Sequence, residues 1–262
     1  DSGVSVANVP SIPSSVSANT DYGFSVVSYV SNSSAVQTIG HGLSTAPKFI
    51  IWKDRDAATN WFVYHNAGTA YMFEGLNTTS AGSTTINNIN NTLPSSSIFT
   101  LNSGGYTINA NGNHNLIAYC WSEVAGYSKF GSYTGNGSAT GPVVTTGFKP
   151  RLFMVKRTDA ANNWAVFDSA RSLNNDLKWN TSEVEGSAPV EFLSNGFQPK
   201  NTYSSVNANG ATYIYMAFAE SAPGDPGQDA FKILDTLNTQ DQSSSAHTVT
   251  NNGASFQTSV KK

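Results

Sequence analysis

Charged side chains are scarce in this chain. Asp, Glu, Lys and Arg together make up 12% of the 262 residues, and the formal net charge is −3. A nucleic-acid-binding surface needs a dense field of Lys and Arg, so we expect no nucleic acid among the partners. Ser, Thr, Asn and Gly take the place of the missing charges. A polar but nearly neutral surface of this kind is typical of extracellular fibres, virion parts and modules that face sugars.

Cysteines and long apolar runs are also lacking. The single cysteine, Cys120, rules out a disulfide within the chain, and its apolar neighbours at 116–121 predict a buried side chain. Stability must therefore come from packing or from oligomerisation. No run of about 18 apolar residues is present, so we expect no membrane-spanning helix. The residues that follow Asp1 lack the basic and apolar regions of a signal peptide. The absence of an initiator Met suggests a fragment or a processed chain.

Motifs for metal binding and catalysis are missing as well. None of the four histidines, His41, His65, His114 and His247, has a second His or Cys at zinc-ligand spacing. There is no Gly-x-Ser-x-Gly nucleophile motif and no phosphate-binding loop. We therefore predict a non-enzymatic protein without a metal or a cofactor. His41, which lies between two glycines, is expected at the surface, with the cap of a turn or a contact with a partner as alternatives.

What the sequence does contain is a duplication. Three segments return with their starts displaced by 103 residues, namely 23–29 at 126–133, 46–53 at 149–156 and 56–64 at 159–167. Two later segments return with smaller displacements, namely 109–112 at 207–210 and 116–123 at 213–220. The shrinking displacement indicates deletions in loops of the second copy, because loops tolerate deletions better than strands do. Five matches in the same order predict an internal repeat of about 100 residues.

Each copy has the pattern of an all-β fold. Its apolar runs are short, rich in β-branched and aromatic residues, and separated by Asn-Gly, Ser-Gly and Gly-Gly pairs. The best candidate for a helix, 168–179, is expected to be a loop with one helical turn. We therefore predict two tandem antiparallel β-sandwiches of the jelly-roll type. The predicted parts are a leader at 1–20, a first sandwich at 21–125, a second at 126–221, a Pro/Gly linker at 222–228 and a tail at 229–262.

The densest polar feature of each copy is a charged cluster that leads into a tryptophan, at 53–61 and again at 156–164. Its aspartates Asp56 and Asp159 are expected to form Asx-turns, with a Ca²⁺ site or a glycan or protein contact as alternatives. The two tryptophans are expected to pack on the core or to stack on a sugar. The candidate residues for contact with a ligand or partner are Asp54, Arg55, Asp56, Trp61, His65, Arg157, Asp159, Trp164 and Asp168.

Two acids at equivalent positions of the repeats, Glu123 and Glu220, keep an enzymatic alternative open. Each follows an apolar strand, where a glutamate is normally a solvated cap. If both flanked one groove, they would be the paired carboxylates of a polysaccharide depolymerase. A carbohydrate-binding module of a secreted or cell-surface protein is the other alternative.

Several of these segments resemble a module of bacteriophage tail and virion proteins, common in marine and cyanobacterial phages. In the second copy they are 126–137, 146–151, 156–159, 163–164 and 193–197, and in the first copy 39–43, 46–48, 53–56 and 60–61. The resemblance covers 21–221 and brings no catalytic residues with it. It implies a location in the virion or outside the cell, and a tail fibre or other host-recognition component that adheres to host glycans. It also implies other virion proteins as partners and a homo-oligomer, with a trimer favoured.

The tail carries a second resemblance. Residues 241–254 resemble the opening strands of a laminin-G or concanavalin-like sandwich, a domain that is also frequent in phage tail proteins. Only the opening of such a domain is present. We therefore expect the chain to be the ordered or cleaved part of a longer polypeptide.

Overall fold

The computed structural model of the chain describes residues 9–32, 35–103, 107–109, 113–171 and 174–220. These residues contain no α-helix and only two short 3₁₀ turns, Asn87–Ile89 and Thr107–Asn109, which confirms the all-β prediction. None of them forms a helix long and apolar enough to span a membrane. The described residues belong to one compact unit, and the predicted linker at 222–228 and tail at 229–262 lie outside the described residues.

The first repeat consists of one large and one small antiparallel sheet. The large sheet has the strand order β1-β2-β8-β4-β5-β6, and the small sheet pairs β3 with β7. The strands are β1 (Ser14–Asn19), β2 (Phe24–Val30), β3 (Gln37–Gly40), β4 (Phe49–Asp54), β5 (Phe62–Asn66), β6 (Ala70–Phe73), β7 (Ile98–Leu101) and β8 (Asn115–Trp121). Strand β1 comes from the segment expected to be a leader, and it lies at the edge of the large sheet beside β2.

The second repeat has the same plan. Its large sheet has the order β14-β13-β12-β11-β17-β9, and its small sheet has the order β10-β16-β15. The strands are β9 (Ser128–Thr134), β10 (Val144–Thr145), β11 (Leu152–Arg157), β12 (Trp164–Asp168), β13 (Asn175–Lys178), β14 (Gly186–Ser187), β15 (Val190–Leu193), β16 (Gly196–Pro199) and β17 (Thr212–Phe218). The prediction of a loop with one helical turn at 168–179 is wrong, because β13 forms there and pairs with β12.

Within each repeat the small sheet packs on one face of the large sheet. In the first repeat, Ile39 and Phe99 of the small sheet share a core with Val27 and Tyr29 of β2 and with the buried Cys120. Alternate residues of β2 point into this core, as expected for a strand that is buried on one face. The corresponding core of the second repeat is rich in aromatic rings, which include Phe153, Phe197 and Tyr215.

The opposite faces of the two large sheets contribute to a third core. Phe49, Ile51, Val63 and Phe73 supply it from the first repeat, and Phe130, Met154, Trp164, Val166, Ile214 and Met216 supply it from the second. This explains why β4 is apolar at every position from Phe49 to Trp52. Its alternate side chains enter two different cores. The described residues thus form four layers of sheet, and the repeats share the central core.

A short segment of the first repeat also forms hydrogen bonds with the second repeat. We call residues 75–82, which follow β6, the clasp. The backbone N–H of Gly82 donates to the carbonyl of Thr158, and the N–H of Asn162 donates to the carbonyl of Thr79. The indole Nε1–H of Trp164 donates to the carbonyl of Gly75 over 3.3 Å. Since backbone hydrogen bonds are directional, the clasp specifies how the two repeats are aligned.

Candidate functional site

Three of the residues predicted to contact a ligand are buried. Trp164 lies beneath the clasp, and His65 and Asp54 are almost completely shielded from solvent. The carboxylate of Asp54 accepts hydrogen bonds from the backbone N–H of Asp56 and, over 2.7 Å, from Nδ1 of His114. The Asx-turn therefore forms at Asp54 instead of at Asp56. These three side chains contact protein and do not reach the surface.

His65 connects the repeats from inside the shared core. Its Nε2–H donates to the carbonyl of Tyr215 over 2.9 Å, and its ring packs edge-on against Phe49 and Phe130. Burial lowers the pKa of His65 to about 4, against the opposing effect of the Tyr215 carbonyl. The ring is therefore neutral at physiological pH.

The remaining candidates lie nearer the surface and pair locally. Asp56 accepts hydrogen bonds from the backbone and the side-chain amide of Asn115, and Arg157 forms an ion pair with Asp159. Asp168 pairs with Arg171. Arg55 and Trp61 are exposed. Within the described residues, no hydrogen bond or ion pair joins the 54–56 group to Arg157 or Asp159, so the predicted residues do not converge on one site.

The histidine and acidic side chains of the described residues do not gather into a cluster. The described part of the chain contains no group of three or more His, Cys, Asp or Glu side chains placed to hold an ion. His41 is buried, so the expectation of a surface position is wrong and that of a turn cap is correct. Its Nδ1 accepts the backbone N–H of Leu43, and its Nε2–H donates to the carbonyl of Ser95. Burial lowers the pKa of His41, although the Ser95 carbonyl partly opposes the shift.

A pocket of about 370 Å³ opens where the two repeats are joined. We call it the aromatic pocket, and it is lined by Asn19, Tyr22, Phe24, Trp121, Tyr127 and Phe218. Its five rings are partly buried and contact one another in two groups, Phe24 with Trp121 and Tyr127 with Tyr22 and Phe218. Ring centroids are 4.9 Å apart for Phe24 and Trp121, 5.3 Å apart for Tyr22 and Tyr127, and 5.8 Å apart for Tyr127 and Phe218.

The pairing of β2 with β1 and β8 brings together the pocket residues that belong to the first repeat. Phe24 is paired with Asn19 on β1 and with Trp121 on β8, so all three side chains lie on one face of the large sheet. The side-chain oxygen of Asn19 accepts the backbone N–H groups of Asp21 and Tyr22, which shapes the turn between β1 and β2. These bonds hold Tyr22 at the mouth of the pocket.

The connection between the repeats supplies the other side. The backbone N–H of Tyr127 donates to the carbonyl of Val124, and the carbonyl of Tyr127 accepts the N–H of Ala219 just beyond β17. Tyr127 is thereby tied beside Phe218. Burial and the neighbouring Tyr22 both raise the pKa of Tyr127, so its hydroxyl stays protonated at neutral pH.

The pocket has the composition of a site for a small polar ligand with apolar faces. Aromatic rings supply flat apolar surface and cost little conformational entropy, while the Asn19 amide and the tyrosine hydroxyls form hydrogen bonds. None of the described residues that line it is acidic. A pyranose ring fits this chemistry, because its C–H bonds pack against aromatic faces and its hydroxyl groups lie at the rim.

None of the pocket residues is among those predicted from the sequence. The repeat nevertheless contains a pattern of aromatic residues that indicates the pocket. An aromatic residue ends the last strand of both copies, as Trp121 and Phe218, and another follows the glycine that opens each copy, as Phe24 and Tyr127. Only the packing of the repeats brings these four rings together, and the repeat pattern alone does not reveal that packing.

Fold and pocket together define an all-β, double-sandwich protein with an aromatic pocket at the junction of its repeats. The chain belongs to the family described as "Domain of unknown function (DUF7483)", whose model matches residues 1–222. The match spans both repeats, in agreement with their shared core. No curated protein and no solved structure shows significant similarity to the chain.

Proposed function

We propose that this protein is a non-enzymatic adhesion component of a virion, such as a phage tail fibre, and that the aromatic pocket binds a sugar of the host surface. The observation that carries the proposal is the pocket itself, in which five aromatic rings and one amide meet without a carboxylate. The low charge of the chain agrees with a glycan ligand, because neutral sugars offer no charge for a protein to complement.

The surroundings of Glu123 argue against a depolymerase. One carboxylate oxygen of Glu123 pairs with Lys129 over 2.7 Å, and the other accepts the backbone N–H of Phe130. Both carboxylate oxygens of Glu123 thus have partners within the protein, which supports a non-enzymatic role.

A glycan array followed by titration of the best-bound oligosaccharide tests the proposal. We expect Tyr22→Ala and Tyr127→Ala each to weaken binding by at least about tenfold, since a stacking ring at the centre of a site contributes most of the binding energy. Tyr127→Phe should retain most of the affinity because it keeps the ring. Tyr203→Ala, which removes an exposed tyrosine outside the pocket, is the matched control.

Two outcomes would reject the assignment. One is an array on which the wild-type protein binds nothing, and the other is unchanged affinity in the two alanine variants. Release of reducing ends from the bound polysaccharide, lost in Glu123→Gln or Glu220→Gln, would establish the enzymatic alternative instead.

A further inference from the structure

A second pocket, of about 250 Å³, lies at the opposite ends of β2 and β8 from the aromatic pocket. We call it the arginine pocket. The residues that line it include Ser14, Ser15, Ser28, Val30, Arg55 and Asn115. Its volume is below the range of about 300 to 1,000 Å³ that is typical of sites for drug-sized ligands, so it fits one small group.

The pairing of the strands brings the walls of the arginine pocket together. Ser15 of β1 is paired with Ser28 of β2. Val30 of β2 is paired with Asn115 of β8. Residues directly opposite in an antiparallel pair, and residues two apart on one strand, lie on the same face of the sheet. The backbone N–H of Arg55, which follows β4, donates to the carbonyl of Asn115 over 2.9 Å. Three strands and the turn after β4 thus form the pocket.

Arg55 is the only charged residue among the described residues that line this pocket. Its guanidinium makes no hydrogen bond or ion pair with another described residue. The carboxylates on either side of it in the chain have other donors. Asp54 accepts from the backbone of Asp56 and from His114, and Asp56 accepts two bonds from Asn115. Of the interactions that lower the pKa of Asp56, the bonds from Asn115 are the largest and the charge of Arg55 is the smallest.

Hydroxyl groups line the pocket beside the arginine. The hydroxyl of Ser14 donates to the carbonyl of Gly40 over 3.1 Å. Those of Ser15 and Ser28 make no hydrogen bond with another described residue. A serine hydroxyl both donates and accepts, and a guanidinium offers five N–H donors. The arginine pocket therefore combines one positive charge with neutral groups that can bond to hydroxyls.

The second repeat has no counterpart of this pocket. Thr158 occupies the position of Arg55, and its backbone N–H donates to the carbonyl of Thr212 as that of Arg55 donates to Asn115. Thr158 is buried, and its hydroxyl donates to the same Thr212 carbonyl. Strand β1 has no counterpart either, because β9 is the edge strand of its sheet. The fold of a repeat therefore requires neither the arginine nor the strand that forms the opposite wall.

We propose that the arginine pocket binds the carboxylate of a small sugar acid. A guanidinium presents two parallel N–H groups that match the two oxygens of a carboxylate. One arginine balances the single charge of a carboxylate, whereas a phosphate monoester carries about −1.5 to −2 and calls for a further cation. Ser15 and Ser28 are placed to form hydrogen bonds with the hydroxyls of the sugar. The inference is independent of the sugar-binding proposal for the aromatic pocket, because the two pockets share no residue.

An NMR titration of the ¹⁵N-labelled full chain with glucuronate tests the inference, with glucose as the neutral counterpart. We expect the amide signals of Val30, Arg55 and Asn115 to shift with glucuronate at a concentration at least about tenfold lower than with glucose, because hydrogen bonds to a charged group are the stronger ones. Arg55→Gln should remove this preference. Arg55→Lys keeps the charge but loses the paired donors, so its affinity should lie between those of the wild type and Arg55→Gln. Arg151→Gln, which changes an exposed arginine outside the pocket, is the matched control.

Three further results would overturn the inference once circular dichroism has shown that the variants are folded. One is a wild-type protein that does not distinguish glucuronate from glucose, and another is an Arg55→Gln variant that binds glucuronate as tightly as the wild type. The third is tighter binding of glucose 6-sulfate than of glucuronate, which would contradict the choice of a carboxylate. Tyr22→Ala damages only the aromatic pocket and should bind glucuronate as the wild type does. Loss of glucuronate binding in that variant would place the acid in the aromatic pocket instead.

Discussion

The two repeats place the same residue types in different surroundings. Trp164 is completely buried in the shared core, whereas its counterpart Trp61 is exposed at the surface. Lys156 is 1% exposed, whereas Lys53 is only partly buried and donates to carbonyl oxygens of its own turn. Duplication therefore preserved the fold of each repeat but did not preserve the environment of its residues, because the two repeats contribute unequal sets of residues to the shared core.

Lys156 shows how far this difference extends. Its Nζ donates to the carbonyl oxygens of Thr79 in the clasp and of Asn162, and it lies 5.9 Å and 5.7 Å from the ring centroids of Phe73 and Trp164. Burial lowers its pKa to about 8. Two carbonyl dipoles and two aromatic faces thus stabilise a cation that has no carboxylate partner among the described residues. Its counterpart in the first repeat, Lys53, is only partly buried and bonds to carbonyl oxygens of its own turn.

Substitution of the two tryptophans should give the largest difference in stability between equivalent positions of the repeats. Trp164→Ala should lower the free energy of unfolding by about 3 to 5 kcal/mol, because it opens a cavity in the shared core and leaves the Gly75 carbonyl without its donor. Trp61→Ala should cost about 1 kcal/mol, since that ring is already exposed and loses only its stacking on Tyr119. Urea unfolding in dilute solution measures both. Equal losses would mean that the repeats do not share a core.

A pH dependence distinguishes His65 from its counterpart Asp168. In the unfolded chain His65 binds a proton as the pH falls below 6.5. In the folded protein it binds one only when the pH falls to its lowered pKa of about 4. Stability should therefore fall between pH 6.5 and 4, by up to about 1.4 kcal/mol per pH unit from this group. For Asp168, burial raises the pKa but hydrogen bonds from Arg171 outweigh it, so the net shift is downward. The stability that Asp168 contributes is lost only as the pH falls through and below its ordinary value of 3.8.

Two variants compared with the wild type isolate this effect. His65→Gln retains a donor for the Tyr215 carbonyl and should reduce the slope of stability against pH between 6.5 and 4. Asp168→Asn should leave that slope unchanged. His41, whose pKa is also lowered, contributes equally to all three proteins and cancels in the differences. The assignment of His65 as the acid-sensitive contact fails if its variant unfolds in acid as the wild type does.

A structural feature can be predicted from the sequence when residues close to it in the chain determine it. The strands around 49–52, 98–101 and 116–121 follow from short β-branched and aromatic runs, and they form as expected. The burial of Cys120 follows from its apolar neighbours. Both properties are set within a few residues, so a single sequence contains enough information to predict them.

Features that depend on distant contacts were not predictable in this way. Strand β13 contains Asn175 and Asp176 and lacks a strand pattern, and its pairing with β12 outweighs these weak local preferences. The burial of Trp164, but not of Trp61, depends on a clasp about 85 residues away in sequence, and two equivalent sequence positions cannot reveal that difference. The aromatic pocket arises for the same reason, from residues as far apart as Asn19 and Phe218.

The smallest expected difference in stability concerns the two asparagines that accept hydrogen bonds from the backbone of the tryptophans. Asn180 accepts the backbone N–H of Trp164 over 2.9 Å and donates to the side chain of Asn163, and both bonds are partly buried. Asn77 makes the matching bonds to Trp61 and Asn60, but in an exposed setting. Asn180→Ala should cost about 1 to 2 kcal/mol and Asn77→Ala about 0.5 kcal/mol, because water replaces the lost partner only at the exposed site.

Thermal or urea unfolding of the two alanine variants measures this difference, and Asn180→Asp provides the matched control. The aspartate keeps an acceptor for the N–H of Trp164 but loses the donor to Asn163, so its loss of stability should lie between those of the wild type and Asn180→Ala. If Asn77→Ala proves the more damaging substitution, the clasp of the first repeat depends on Asn77 for its shape. The shared core would then be less important than the clasp in holding the two repeats together.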